Sequence, residues 1–294
     1  AMTPQAERLV ITVSVTVKAP LQRVWDLFTG PLHIIHWNHA SDDWQTSYAE
    51  NDLRPGGTFL CRMEARDGSE GFDFEGRYSE VVMEKTIAYT MPDGRNVHIS
   101  FCHKGDTTLV TESFDAEDQN SAELQKAGWQ AILNNFKKYV EGYGAKEMLH
   151  FEITINNSPE NVFRIMLEDE AFRRWTSPFN PDSRFTGSWE KGERIMFIGT
   201  NPDGKTGGML CRIRENIPGK FLSIESLREI IDGHEVSGDQ ESGPWRGSLE
   251  NYSLRQVDGK TLLCIDTDVP AGFKPFFTET WPKALEILRS LCEK

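Results

Sequence analysis

The chain has 294 residues, 38% hydrophobic and 26% charged, which suits a globular protein with two cores of ordinary domain size. Its net charge of -13, from 32 basic and 45 acidic side chains, disfavours nucleic acid and anionic membrane surfaces as partners. No apolar run is long enough to span a bilayer and none ahead of Leu9 resembles a leader. Cys61, Cys102, Cys211, Cys264 and Cys292 form no close pair of zinc or redox type, so free thiols in the cytoplasm are expected.

In chain order, Leu9 to Val17 alternates Ile11, Val13, Val15 and Val17 with threonine and serine, the pattern of a strand with one buried face. Pro20 opens a helix with Val24, Trp25, Leu27 and Phe28 on its apolar side, and Gly30-Pro31 starts a second short helix through Trp37. Strands joined by turn signals follow. Thr58 to Ala65 is one, and Arg66-Asp67-Gly68-Ser69 turns it. Phe72, Phe74, Gly76 and Tyr78 then alternate with charged residues. Shorter strands lie over Thr86 to Thr90 and around Val97, Ile99 and Phe101, and a last strand runs through Phe114. A long amphipathic helix closes the set, with Trp129, Ile132, Leu133, Phe136, Tyr139 and Val140 at helical spacing.

The pattern then restarts. Leu149, Phe151, Ile153 and Ile155 alternate, Ser158-Pro159 opens a helix, and Val162-Phe163 and Trp175 fall where Val24-Trp25 and Trp37 fell. Gly259-Lys260-Thr261-Leu262-Leu263 echoes Gly105-Asp106-Thr107-Thr108-Leu109, and the Trp281 to Leu291 helix echoes the Trp129 helix. An extended loop is expected between Ile230 and Trp245. Two similar domains are therefore expected, 1–144 and 145–294, with a linker over Glu141 to Lys146.

Several motifs of the first half resemble bacterial members of the START-like, helix-grip superfamily. They are Trp37-Asn38-His39-Ala40-Ser41-Asp42-Asp43-Trp44, Asn51-Asp52-Leu53-Arg54-Pro55-Gly56-Gly57, Met63 to Gly68, Gly71 to Tyr78 and Gly128 to Leu133. Such proteins are grouped with the C-terminal domain of the heat-shock ATPase activator or with polyketide cyclases. The resemblance implies an α+β protein of two tandem helix-grip domains. Each is a curved antiparallel sheet around a long C-terminal helix, with two short helices after the first strand and often an apolar cavity inside. Superfamily members include lipid carriers, cyclases and co-chaperone domains, so it fixes no single activity.

The residues offer three functional readings. The aromatic set Trp37, Trp44, Phe59, Phe72, Phe74, Tyr78, Phe101 and Trp129, with Met63 and Leu133 beside it, either fills a core or lines a cavity for a small apolar ligand. On the last strand of the first half, Val110, Glu112 and Phe114 share the bulkier face, which puts the Glu112 carboxyl inside, the alternative being a slip of strand parity that turns it to water against a neighbouring strand; Asp266 is expected to be its counterpart in the second half. The second reading is a cyclase- or hydrolase-type enzyme using such a carboxylate or a histidine. The third is a chaperone-associated interaction protein. His33, His36 and His39, followed by Asp42 and Asp43, are expected to form a polar helix face and not a metal site. Cys102, near His98 and His103, is a candidate thiol site, although a cysteine on a sheet strand is more often simply buried. Arg62, Glu64, Asp73, Glu75 and Arg77 are expected to form exposed cross-strand pairs. No nucleophile elbow, phosphate loop or dinucleotide fingerprint occurs, so no cofactor is expected. The second half lacks the Phe72, Phe74, Tyr78 row and is expected to be the less ligand-competent half.

Overall fold

A computed structural model describes residues 7–236 and 243–294. The chain splits into two compact units, 1–143 and 144–294. Part of the loop expected before Trp245, including Gly238, lies outside the described residues.

In the first unit, β1 (Val10–Val17) leads into α1 (Leu21–Thr29) and α2 (Pro31–Trp37). Gly30 ends α1, donating its backbone N–H to the Asp26 carbonyl, and Pro31 opens α2. Six strands follow: β2 (Trp44–Asn51), β3 (Thr58–Ala65), β4 (Gly71–Val82), β5 (Thr86–Thr90), β6 (Asn96–Lys104) and β7 (Thr107–Asp115). They form one antiparallel sheet in the order β1-β7-β6-β5-β4-β3-β2. Only the first strand is out of sequence order, because the chain passes through the two short helices before returning to the far edge.

The sheet curls where its register breaks, between Thr46 and Tyr48 and between Tyr78 and Glu80. Helix α3 (Ala122–Gly142) lies in the curl. Ser121 caps its N-terminus by accepting from the Leu124 N–H, and Leu133, Phe136 and Val140 are its fully buried positions. The alternation read from β1 is observed: Ile11, Val13, Val15 and Val17 face this core and the residues between them face out.

The second unit repeats the order. It comprises β8 (Lys146–Ile155), α4 (Pro159–Leu167), α5 (Asp169–Trp175), β9 (Arg184–Gly187), β10 (Arg194–Thr200), β11 (Thr206–Ile217), β12 (Phe221–Ile231), β13 (His234–Glu235), β14 (Leu249–Val257), β15 (Lys260–Pro270) and α6 (Lys274–Cys292). Its main path is β8-β15-β14-β12-β11-β10-β9, with β13 paired to β12. The two units are tandem helix-grip domains.

Matching hydrogen bonds mark the repeat at atomic level. Trp37 Nε1 donates to the Leu27 carbonyl and Trp175 Nε1 to the Met166 carbonyl, each tying the second short helix to the first. Thr108 Oγ1 donates to the Ala19 carbonyl and Thr261 Oγ1 to the Asn157 carbonyl. The second pair corrects the sequence alignment by one residue: Thr108 corresponds to Thr261, not to Leu262. Helix α6 also starts seven residues before the expected Trp281, with Pro275 in its first turn and Pro282 inside it.

Candidate functional site

The curl of the first sheet is not filled. A cavity of about 230 Å³ remains among α1, α2, α3 and the concave face of the sheet. Its aromatic wall is a set of rings centred on Phe59, which meets Tyr89 edge to face at 4.7 Å and lies tilted against Tyr78 at 5.5 Å and Phe74 at 5.7 Å, centroid to centroid. Trp129 of α3 stacks on Phe114 at 4.0 Å and joins the wall beside Phe74. Gly76 makes the Phe59–Tyr89 contact possible. A Cβ there would come within 2.6 Å of the Phe59 ring and 2.9 Å of the Tyr89 ring.

The polar groups of the cavity differ in how they are held. Asn51 is used at both ends, accepting from Tyr78 Oη at 2.5 Å and donating to the Thr29 carbonyl at 2.8 Å. Burial pushes the Tyr78 and Tyr89 hydroxyls well above their ordinary range and the Cys61 thiol up to about 12, so all three are neutral. Glu112 is different. It is 7% exposed, sits between Val13 of β1 and Ile99 of β6, and lines the cavity. Among the described residues no side chain is recorded donating to it, and burial alone raises its pKa to about 8.

Of the residues expected to line a ligand site, Trp37, Phe59, Met63, Phe72, Phe74, Tyr78, Glu112 and Trp129 lie on the cavity. Phe72 is 49% exposed, at the outer end of the wall. Three do not line it. Trp44 packs against Phe72 at 6.0 Å beyond the cavity, Phe101 is locked edge-on between Trp25 and Phe28, and Leu133 is fully buried in the core. Face parity put Phe101 and Leu133 on the correct side. It carries no information on whether space is left there. Tyr89, Ile87 and Ile99 were missed, although the alternation of β5 and β6 points them to the same face as Phe101.

Other expectations divide. His33 Nδ1 lies 2.7 Å from Tyr139 Oη, and His36 stacks on the Tyr139 ring at 5.0 Å, so these histidines face α3. Cys102 is exposed, not buried. Its strand turns His98 and Cys102 outward because Val97, Ile99 and Phe101 take the core face. Arg62 reaches Asp73 at 3.4 Å as expected, but Glu64 is buried and accepts from Gln45.

The second half has no strand row matching Phe72, Phe74 and Tyr78, yet it is not poor in cavity-lining rings. Its unit holds a cavity of about 280 Å³ walled by Phe172, Trp175, Phe179, Phe197, Phe277 and Trp281. The rings come mainly from α5, its following loop and α6, where strand alternation cannot reveal them. Asp266 is not the counterpart of Glu112. Ile265 occupies that slot, and Asp266 faces away from the core, 2.7 Å from His150 Nδ1. The second cavity is lined by two other carboxyls, Asp268 of β15 and Glu250 of the next strand. Glu250 of β14 accepts from Tyr252 Oη at 2.6 Å, and burial raises its pKa.

Fold and cavities together define a tandem helix-grip protein. Residues 18–141 match the model of the family described as Activator of Hsp90 ATPase homolog 1-like protein. The AHSA1-like protein from Aeromonas hydrophila is 40% identical over 46% of this chain and 94% of its own, with a TM-score of 0.43. A protein from Cytophaga hutchinsonii is 52% identical over 45% and 92%, with a TM-score of 0.41. The chain belongs to the Activator of Hsp90 ATPase homolog 1-like family through its first unit. Across both units it shares its fold with the di-domain ARO/CYC StfQ from the steffimycin biosynthetic pathway, at 13% identity, 96% and 98% coverage and a TM-score of 0.60. No curated protein matches the chain. No helix among the described residues is long and apolar enough to cross a membrane.

Proposed function

We propose that the first unit binds a small, mostly apolar molecule in its cavity, oriented by a hydrogen bond from protonated Glu112. The observation that carries this reading is a buried carboxyl group on the wall of a largely aromatic and aliphatic cavity, to which no side chain among the described residues donates. Burying such a group without a hydrogen bond costs on the order of 1–3 kcal/mol, so a ligand that completes it gains accordingly. With a pKa of about 8 the group is mostly protonated at neutral pH and acts as a donor. The ligand therefore carries a carbonyl, ether or similar acceptor on an apolar body. The cavity volume suits a compact molecule of one to three rings.

Native mass spectrometry of the freshly purified full chain tests this. A copurifying small molecule is expected, retained in Glu112→Gln, which keeps a neutral donor, and lost in Glu112→Leu. Empty protein that also takes up no apolar dye overturns the reading. A second reading rests on the same group. A carboxyl with a pKa near neutrality is a competent general acid or base, so a cyclase-type proton transfer fits the site. It requires turnover to be lost in Glu112→Gln even though binding survives.

A further inference from the structure

The face of the second sheet that points away from its core carries a second group of chemical side chains. Strands β8 and β15 pair antiparallel, with His150 opposite Asp266 and Glu152 opposite Cys264. Because side chains two apart share a face, these four residues form a two-by-two array. His150 donates from Nδ1 to Asp266 Oδ1 at 2.7 Å, which fixes the ring and directs Nε2 to the other side. There Nε2 lies 3.0 Å from Glu152 Oε2, and Cys264 Sγ lies 3.9 Å from the same oxygen. The three donor atoms of His150, Glu152 and Cys264 all fall within 4.8 Å of one another, the one such group of three among the described residues.

From this geometry we propose that His150, Glu152 and Cys264 bind a divalent cation of the zinc class, with Asp266 as the carboxylate that orients His150. An imidazole nitrogen, a carboxylate oxygen and a thiolate are a zinc donor set, and magnesium or calcium would reject the sulfur. The donors of a zinc tetrahedron stand about 3.3–3.7 Å apart, given bonds of 2.0–2.3 Å. Contraction of about 1 Å closes the observed array, and the half-exposed side chains of Glu152 and His150 supply it without backbone movement. The Cys264 thiol proton and the His150 Nε2 proton held against Glu152 both pass to solvent as the metal binds, and Nδ1 keeps its proton on Asp266. Solvent reaches this face, so water takes the fourth position. A hydrogen-bonded carboxylate behind a ligating imidazole is the usual outer-shell arrangement of such centres. A plain ion-pair reading of His150 between two carboxylates accounts for the histidine and gives Cys264 no role.

The test is titration of the reduced full-length chain with cobalt(II), followed by displacement with zinc(II). One equivalent of cobalt is expected to produce a thiolate-to-cobalt charge-transfer band and the intense visible bands of a four-coordinate ion. Cys264→Ser removes the charge-transfer band, and His150→Gln abolishes binding. Asp266→Asn weakens binding about 10–100-fold while leaving the band shape intact. Cys102→Ser, at the other exposed thiol, changes nothing. The proposal is overturned if wild-type protein shows no thiolate band, if the band survives in Cys264→Ser, or if it is lost in Cys102→Ser.

Discussion

Glu112 makes the stability of the first unit fall as pH rises through neutrality. Its pKa rises from about 4.5 in the unfolded chain, the ordinary carboxyl value, to about 8 in the fold. Between those values the folded state binds more protons, so stability is full below pH 4.5, falls as pH rises, and levels off above about 8. Glu112→Gln removes this contribution. The variant is expected to match wild type near pH 4 and to exceed it by roughly 3–5 kcal/mol near pH 8, measured by urea unfolding at both pH values. Equal midpoints at pH 8 would refute the buried placement. This residue was legible in the sequence because Val110 and Phe114 flank it at strand spacing. Asp266 was misread because the repeats were aligned on their turn glycines. Gly105 is the first of its two turn residues, between Lys104 and Thr107, whereas Gly259 is the second, after Asp258. Asp258 takes the left-handed conformation at φ 50° in the place of Gly105 at φ 60°. One residue of slip on a strand reverses every side chain.

At the level of elements, the curl of β4 and its bare position at Gly76 hold the cavity open. Gly76→Ala drives a methyl group into the Phe59 and Tyr89 rings. A loss of about 1–3 kcal/mol is expected in the urea midpoint with an unchanged m value, together with weaker uptake of any apolar dye. An unchanged midpoint would show that the rings yield freely. Strands were the readable elements here, since an alternating face declares itself in β1, β4 and β6. The helices were readable as stripes, but their ends were not. The stripe from Trp281 to Leu291 left out the first two turns of α6, which carry Phe276 and Phe277. The second cavity was invisible for that reason, its wall being built from helix and loop positions that no strand period groups together.

For the whole molecule, each unit has its own core cluster and its own sheet. We propose that the two fold independently, with the boundary in Glu141 to Lys146. Limited proteolysis is expected to release two resistant fragments by a cut near Gly142 or Gly144, and each fragment should unfold in a single transition. One cooperative transition and no cut in that segment would refute independence. The tandem architecture was legible because the whole order of elements recurs. Neither cavity's ligand was, because the groups that would recognise one converge from many separate stretches of chain.

The one-residue offset between the two hairpin turns also constrains recombination. Anyone exchanging strands between the two units, or grafting one cavity's chemistry onto the other, must splice at Thr108 and Thr261, the residues tied to the Ala19 and Asn157 carbonyls. A chimera joined at the glycines would carry β15 inverted. Leu263 and Ile265 would face water, and Cys264 and Asp266 would enter the core. Such a graft fails even though its sequence alignment looks sound. The same rule guides the useful experiment: an acid placed at the Glu112 slot of the second unit belongs at Ile265.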